Sequence, residues 1–124
     1  MTEKTTATKL QIKPDHAVYV TGRPDAEHLI GRLPDGTVTT GKPDLADAAL
    51  LFVANGAELH ERLTDTLPLL GGAEAVWICY PKGNKADINR DTIRTRVADA
   101  GWTVVSNVSI DATWSALRAK ATAT

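Results

Sequence analysis

The sequence predicts a single α/β domain: one mostly parallel sheet with flanking helices, strand order 2-1-3-4-6-5, and its last two strands joined as a hairpin. Three observations predict it. Six short apolar or β-branched segments punctuate the chain, helical patterns separate several of them, and only Asp111-Ala112 separates the last two. Strands that alternate with helices need crossover connections, which make a parallel sheet. A two-residue link is too short to cross over and reverses the chain. The fifth strand is therefore expected to run antiparallel to the rest.

The elements follow in order. Met1 to Lys9 is Thr/Lys-rich and reads as a frayed tail, as does Ala119 to Thr124, so the folded unit is expected over residues 10–118. The first strand is Ala17 to Thr21, closed by Gly22 and Pro24. A short helix is expected after Asp25, from Ala26 to Ile30. The second strand, Thr37 to Thr40, opens after the turn residues Pro34-Asp35-Gly36. The third, Ala49 to Val53, is apolar on both faces, as a central strand covered on each side would be. Asn55 with Glu58 three residues on is a capping box, and Leu59, Leu63 and Leu67 follow as one helical stripe ended by Pro68 and Gly71-Gly72. The fourth strand, Ala75 to Tyr80, stops at Pro81. Asn89 caps a second helix with Ile88 and Ile93 as its staple, a buried stripe of Ile93, Val97 and Ala100, and Gly101 at its end. In the fifth strand, Thr103 to Ile110, alternation puts Val104, Val108 and Ile110 on one face and Val105 on the other. Thr113 to Arg118 reads either as an alanine-rich helix capped by Asp111 or as a returning strand; the short link favours the strand.

Composition narrows the function classes. Fourteen basic and fifteen acidic residues leave a net charge of −1, so no global field draws nucleic acid or an anionic membrane. The single cysteine, Cys79, excludes an intrachain disulfide. The longest apolar run, Ala48 to Ala54, falls far short of the roughly 20 residues that span a bilayer. The N-terminal stretch has no apolar core of the kind a secretory signal needs. These features give the expectation of a cytoplasmic protein that does not engage a membrane. His16, His28 and His60 lie in three separate segments without ligand spacing, so no metal is expected. The serines, Ser106, Ser109 and Ser115, show no nucleophile elbow. No catalytic residue is assigned, and the balance leans away from an enzyme.

Two resemblances rest on specific residues. The strand ending Val53-Ala54-Asn55, the leucine-striped helix, Leu69-Leu70-Gly71-Gly72 and the strand running into Tyr80-Pro81-Lys82 resemble the C-terminal half of a class I methyltransferase, a Rossmann-like fold. Leu10 to His16 is similar to the lead-in of that fold, with Asp15 where glycine is usual. More closely, Ile12-Lys13-Pro14, Tyr80-Pro81-Lys82-Gly83, Asn89-Arg90-Asp91, and Ile110-Asp111 followed by Thr113 to Arg118 resemble an uncharacterised family of short bacterial proteins from high-GC Gram-positive bacteria. That family is known only as a domain of unknown function, so the resemblance implies a truncated methyltransferase-like fold rather than an activity.

Candidate sites lie where ligands of open α/β sheets bind, at the carboxyl ends of the strands. The loop from Tyr80 to Arg90 carries Lys82, Lys85 and Arg90 beside a helix N-terminus, a combination suited to an anion. Arg23 and Asn55 end other strands, and Asp111 is placed to pair with Arg90 while Trp114 either stacks on a ligand or packs on a helix. The candidate ligand-binding set is therefore Arg23, Asn55, Tyr80, Lys82, Lys85, Arg90 and Asp111. The bland readings are a solvated lysine loop, a turn capped by Asp111, and a buried thiol at Cys79.

The function expected is a non-catalytic binding or regulatory module whose cleft takes a small anion or a protein partner. The alternatives are a divergent methyltransferase-like enzyme and a homo-oligomeric assembly protein. The loop Gly22-Arg23-Pro24-Asp25 puts one glycine, a proline and an arginine where a cofactor needs bare backbone, and Thr39-Thr40-Gly41 replaces the acidic residue expected for ribose. No cofactor is expected. Titration calorimetry with S-adenosylmethionine or a dinucleotide should detect no binding; a dissociation constant of about 10 μM or tighter, worth about 7 kcal/mol, would contradict this.

Overall fold

Two strands buried along almost their whole length decide where the sheet is covered. In the computed structural model, which describes residues 10, 12–21, 36–82, 88–110 and 113–121, these are β3 (Ala48–Phe52) and β4 (Ala75–Pro81), paired in parallel with Leu50 opposite Trp77. Successive side chains point to opposite faces. Ala49, Leu51, Val76, Ile78 and Tyr80 enter one cluster; Ala48, Leu50, Phe52, Ala75, Trp77 and Cys79 enter the other. Both faces are apolar, so both must be covered.

β1 (Ala17–Thr21) lies on the far side of β3, followed by the two-residue edge strand β2 (Val38–Thr39). Beyond β4 come β6 (Trp114–Ala121) and then β5 (Trp102–Ser109), which completes the order β2-β1-β3-β4-β6-β5. The expected order and the closing hairpin are both present. The reversed strand, however, is β6 and not β5. β6 pairs antiparallel with β4 and with β5, so β5 runs parallel to β1–β4. A helical crossover precedes β5 and keeps its direction, whereas the short link after it reverses β6 into the gap.

Three further expectations are corrected. Residues 119–121 are not tail: Ala119 pairs with Val76 and Val104, and Ala121 with Trp102, because a backbone ladder needs no large side chains. Val104 does not share a face with Val108 and Ile110. The register shifts between Val104 and Ser106, and such a bulge turns the strand over. Val104 therefore packs with the cluster around Tyr80, Val108 and Ile110 join the one around Trp77, and Val105 is half exposed. Trp114 meets the Phe52 ring edge-on at 5.3 Å on the sheet itself.

The helices cover one face. α1 (Gly56–Glu61) opens on Asn55, whose side chain accepts from Glu58 N (2.9 Å) and donates to Glu58 Oε2 (3.2 Å). The helix then widens into a π turn over Arg62–Thr66 and tightens into a 3₁₀ turn over Leu67–Leu70. Pro68 is the cause: its ring has no N–H and would collide with the carbonyl four residues back in a regular helix. Pro68 thus reshapes the helix rather than ending it, and Leu59, Leu63 and Leu67 all remain buried. α2 (Arg90–Asp99) is capped by Asn89, whose Oδ1 accepts from Thr92 N at 2.9 Å. Ile88, Ile93 and Val97 are buried as expected, but Ala100 is exposed, because the backbone has already left the helix there and Gly101 turns it with φ +86°.

On the opposite face the described covering is Leu10, Ile12, Ile110 and Trp114. The Trp77 indole donates to the Leu10 carbonyl at 2.8 Å, a buried bond spanning 67 residues of sequence. At the amino ends of the strands, Asp47 joins three of them. Its carboxylate accepts from Ala17 N, its own N–H donates to Ala17 O, and its carbonyl accepts from Glu74 N and Ala75 N. Asp15, which stands where glycine is usual, adopts φ 66°, and its carboxyl group fills the space a side chain at Gly36 would need. The left-handed region tolerates aspartate better than most residues, which accounts for the exchange. The Gly22–Asp25 loop, the helix expected over Ala26 to Ile30 and the tail before Leu10 lie outside the described residues.

Trp77→Phe should lower stability by about 2–3 kcal/mol, because it strands a buried carbonyl and leaves a small void. Urea denaturation followed by circular dichroism measures this; a loss under about 0.5 kcal/mol would mean water reaches the Leu10 carbonyl.

Candidate functional site

At the carboxyl end of β4 the chain forms an open cleft of about 400 Å³. Pro81 ends β4 and Lys82 N donates to Thr113 O at 2.8 Å, which carries the β4–β6 ladder one step past the strand. Tyr80, Pro81 and Lys82 form the floor, Asn89, Arg90 and Asp91 one wall, and Ser115 of β6 the other. Tyr80 faces the helix-covered cluster and is nearly buried, so it shapes the floor. Lys82 Nζ donates to Ser109 Oγ at 2.5 Å, which draws the ammonium toward β5. Ser115 is buried and its hydroxyl bonds Asn107 Oδ1 at 2.9 Å.

Arg90 is the first residue of α2 and is exposed. Among the described residues it has no ion-pair partner. Asn89 satisfies Thr92 N and its carbonyl accepts from Ile93 N, so among the described residues the N–H groups of Arg90 and Asp91 remain the open donors of the first turn. A guanidinium and two amides thus face the same cleft, with roughly half a unit of positive charge at the helix end. Among the described residues Asp91 supplies the one carboxylate on the rim.

Of the expected site residues, the fold brings Tyr80, Lys82 and Arg90 together. Asn55 stands apart: both ends of its amide are engaged in capping α1, and it does not line this cleft. Arg23, Lys85 and Asp111 lie outside the described residues. The reversal of strand order falls between β1 and β3, so the carboxyl end of β4 adjoins that of β3 and not that of β1. Cys79 is fully buried, and desolvation pushes its thiol far above the usual range, so it stays protonated and is no nucleophile. Among the described residues no three His, Cys, Asp or Glu side chains cluster to hold a metal, and no helix is long and apolar enough to cross a membrane.

Sequence reasoning missed a second polar centre at the amino ends of the strands. His16 Nδ1 accepts from Lys13 N at 3.2 Å, so the ring proton sits on Nε2, which faces Glu74 Oε2 at 3.1 Å. Arg118 donates to Glu74 O at 2.8 Å. The readable signal was that Asp47 and Glu74 each stand one residue ahead of a parallel strand and must therefore share one end of the sheet.

Residues 7–122 match a family model described as a protein of unknown function, DUF3052. The chain belongs to that family. No curated protein matches the chain. Among solved structures, a protein of the NADB-Rossmann superfamily from Streptococcus agalactiae aligns over all of this DUF3052 chain and 71% of its own, with TM-score 0.60 and 10% identity. The m1A22 tRNA methyltransferase of B. subtilis aligns over 98% of this chain and 67% of its own, with TM-score 0.55 and 15% identity. At these identities the likeness establishes a Rossmann-like, methyltransferase-like fold and nothing about activity.

Asn55→Ala should lower stability by about 1 kcal/mol, the usual worth of an N-cap, and leave ligand binding at the β4 cleft unchanged. Chemical denaturation beside a binding titration reads both; a stable variant with weakened binding would return Asn55 to the site.

Proposed function

We propose that this DUF3052 chain is a binding module that holds a small oxyanion in the cleft at the carboxyl end of β4. The observation that carries the reading is Arg90. It is a charge without an ion-pair partner among the described residues, at a helix start whose first two N–H groups are open, beside a second cation at Lys82. A buried clamp would instead be enclosed and paired. Charge-assisted bonds from a guanidinium and helix-terminal amides suit a phosphate or carboxylate better than a neutral ligand. Among the described residues, the cleft brings no histidine, thiol or paired carboxylates to its surface, which favours holding a ligand over transforming one. The structural neighbour titled a tRNA methyltransferase keeps the enzyme reading as a second possibility, and the glycine-poor Gly22-Arg23-Pro24-Asp25 loop speaks against it.

An amide NMR titration with pyrophosphate should shift Lys82, Arg90 and Asp91 saturably. Arg90→Ala should weaken that binding at least fivefold with the melting temperature nearly unchanged. If Arg90→Ala costs about 3 kcal/mol of stability instead, Arg90 is a structural clamp and the anion site is lost.

A further inference from the structure

The opposite end of the sheet carries a larger hollow of about 570 Å³, bounded by the turn from Gly71 to Ala75, the end of β6 and the start of β5. Cations reach it from two separate parts of the chain: Lys13 ahead of β1, and Arg118 and Lys120 two apart on β6, hence on one face. Among the described residues one carboxylate, Glu74, faces them, and it is engaged at 3.1 Å by His16 Nε2 and at 4.0 Å by Lys13. Arg118 is half-buried, and its partner among the described residues is the neutral carbonyl of Glu74. A chain whose overall charge is −1 thus gathers, among the described residues, three cations against one carboxylate around a single hollow. Ala119 and the nearly buried Trp102 point to the helix-covered face of the sheet and close the hollow from that side.

We propose that this hollow is a second binding site, for a small molecule bearing a phosphomonoester, with the phosphate on Arg118 and Lys120 and the organic body in the remainder of the hollow. The charge balance selects the ligand. Two cationic charges remain after Glu74 is counted, and a phosphomonoester carries about −1.5 to −2 at neutral pH, whereas a carboxylate carries half that. Arg118 spends one N–H edge on the Glu74 carbonyl, which fixes the plane of the guanidinium and leaves its other donors for a bidentate contact. The hollow falls within the usual range of small-molecule pockets, about 300–1,000 Å³, and is roomier than a bare phosphate needs.

The test is an amide NMR titration of the full chain with phenyl phosphate, with benzoate and phenol as controls. Saturable shifts at Glu74, Arg118 and Lys120 are expected with phenyl phosphate, weaker binding by at least tenfold with benzoate, and none with phenol. Lys120→Gln, an exposed change at the end of β6, should weaken phenyl phosphate at least threefold, and Arg118→Gln at least tenfold. Arg90→Ala should leave these shifts intact, which separates this site from the cleft at β4. Benzoate binding as well as phenyl phosphate, shifts that never saturate, or affinity unchanged in Lys120→Gln would each overturn the proposal, whether or not Arg118→Gln folds.

Discussion

The structure depends on burying β3 and β4 on both faces. Each strand alternates side chains into two separate apolar clusters, so neither face can be left to water. α1, its irregular extension and α2 cover one side. On the other, the chain ahead of β1 returns as Leu10 and Ile12 and is fastened by the Trp77 indole. Without that bond Leu10 would bring an unpaired carbonyl into an apolar layer, at a cost of about 1–3 kcal/mol. The same carbonyl, once paired, fixes the segment that presents Lys13 and His16 to the amino ends of the strands.

With the sheet covered on both faces, the polar groups of both candidate sites lie at its ends. At the carboxyl end the cap of α2 consumes some donors and leaves others open. At the amino end Asp47 and Glu74 tie the strand starts together and leave the neighbouring cations in excess. Asp47 sits where β1, β3 and β4 begin, so a change there would loosen three strands at once. Among the described residues Arg90 touches no such network, which is why its loss is expected to register in binding and not in stability.

Much of the fold was legible because period and punctuation act locally. Apolar runs located β1, β3, β4 and β5, turn residues located β2, the short link after β5 decided for a strand at β6, and Asn55, Asn89 and Gly101 took the cap positions their side chains or backbone freedom suit. What escaped depended on relations between segments. The bulge beside Val105 is a mismatch between two strands and leaves no mark in either one alone. The π turn comes from Pro68 acting on a carbonyl four residues earlier, inside a stripe that looked regular. The site was legible in part for the same reason: Tyr80, Lys82 and Arg90 are close in sequence and meet, whereas Arg118 and Glu74, 44 residues apart, meet only through the order of the strands.

The reversed strand links the two ends. Had the last segment crossed over as another parallel strand, Ser115 would lie toward the amino ends and Arg118 and Lys120 toward the carboxyl ends. Because β6 runs against β4, it begins at the carboxyl-end cleft with Ser115 and finishes at the amino-end hollow with Arg118 and Lys120. Its register is held from both sides, by β4 along Val76–Pro81 and by β5 on either side of the bulge. A slip by one residue would turn Leu117 out of one cluster and Ala116 out of the other, and would move the residues of both clefts to the wrong face. The apolar alternation that seats β6 in the sheet is therefore also what aims its polar residues, so one strand contributes to the packing and to both candidate sites.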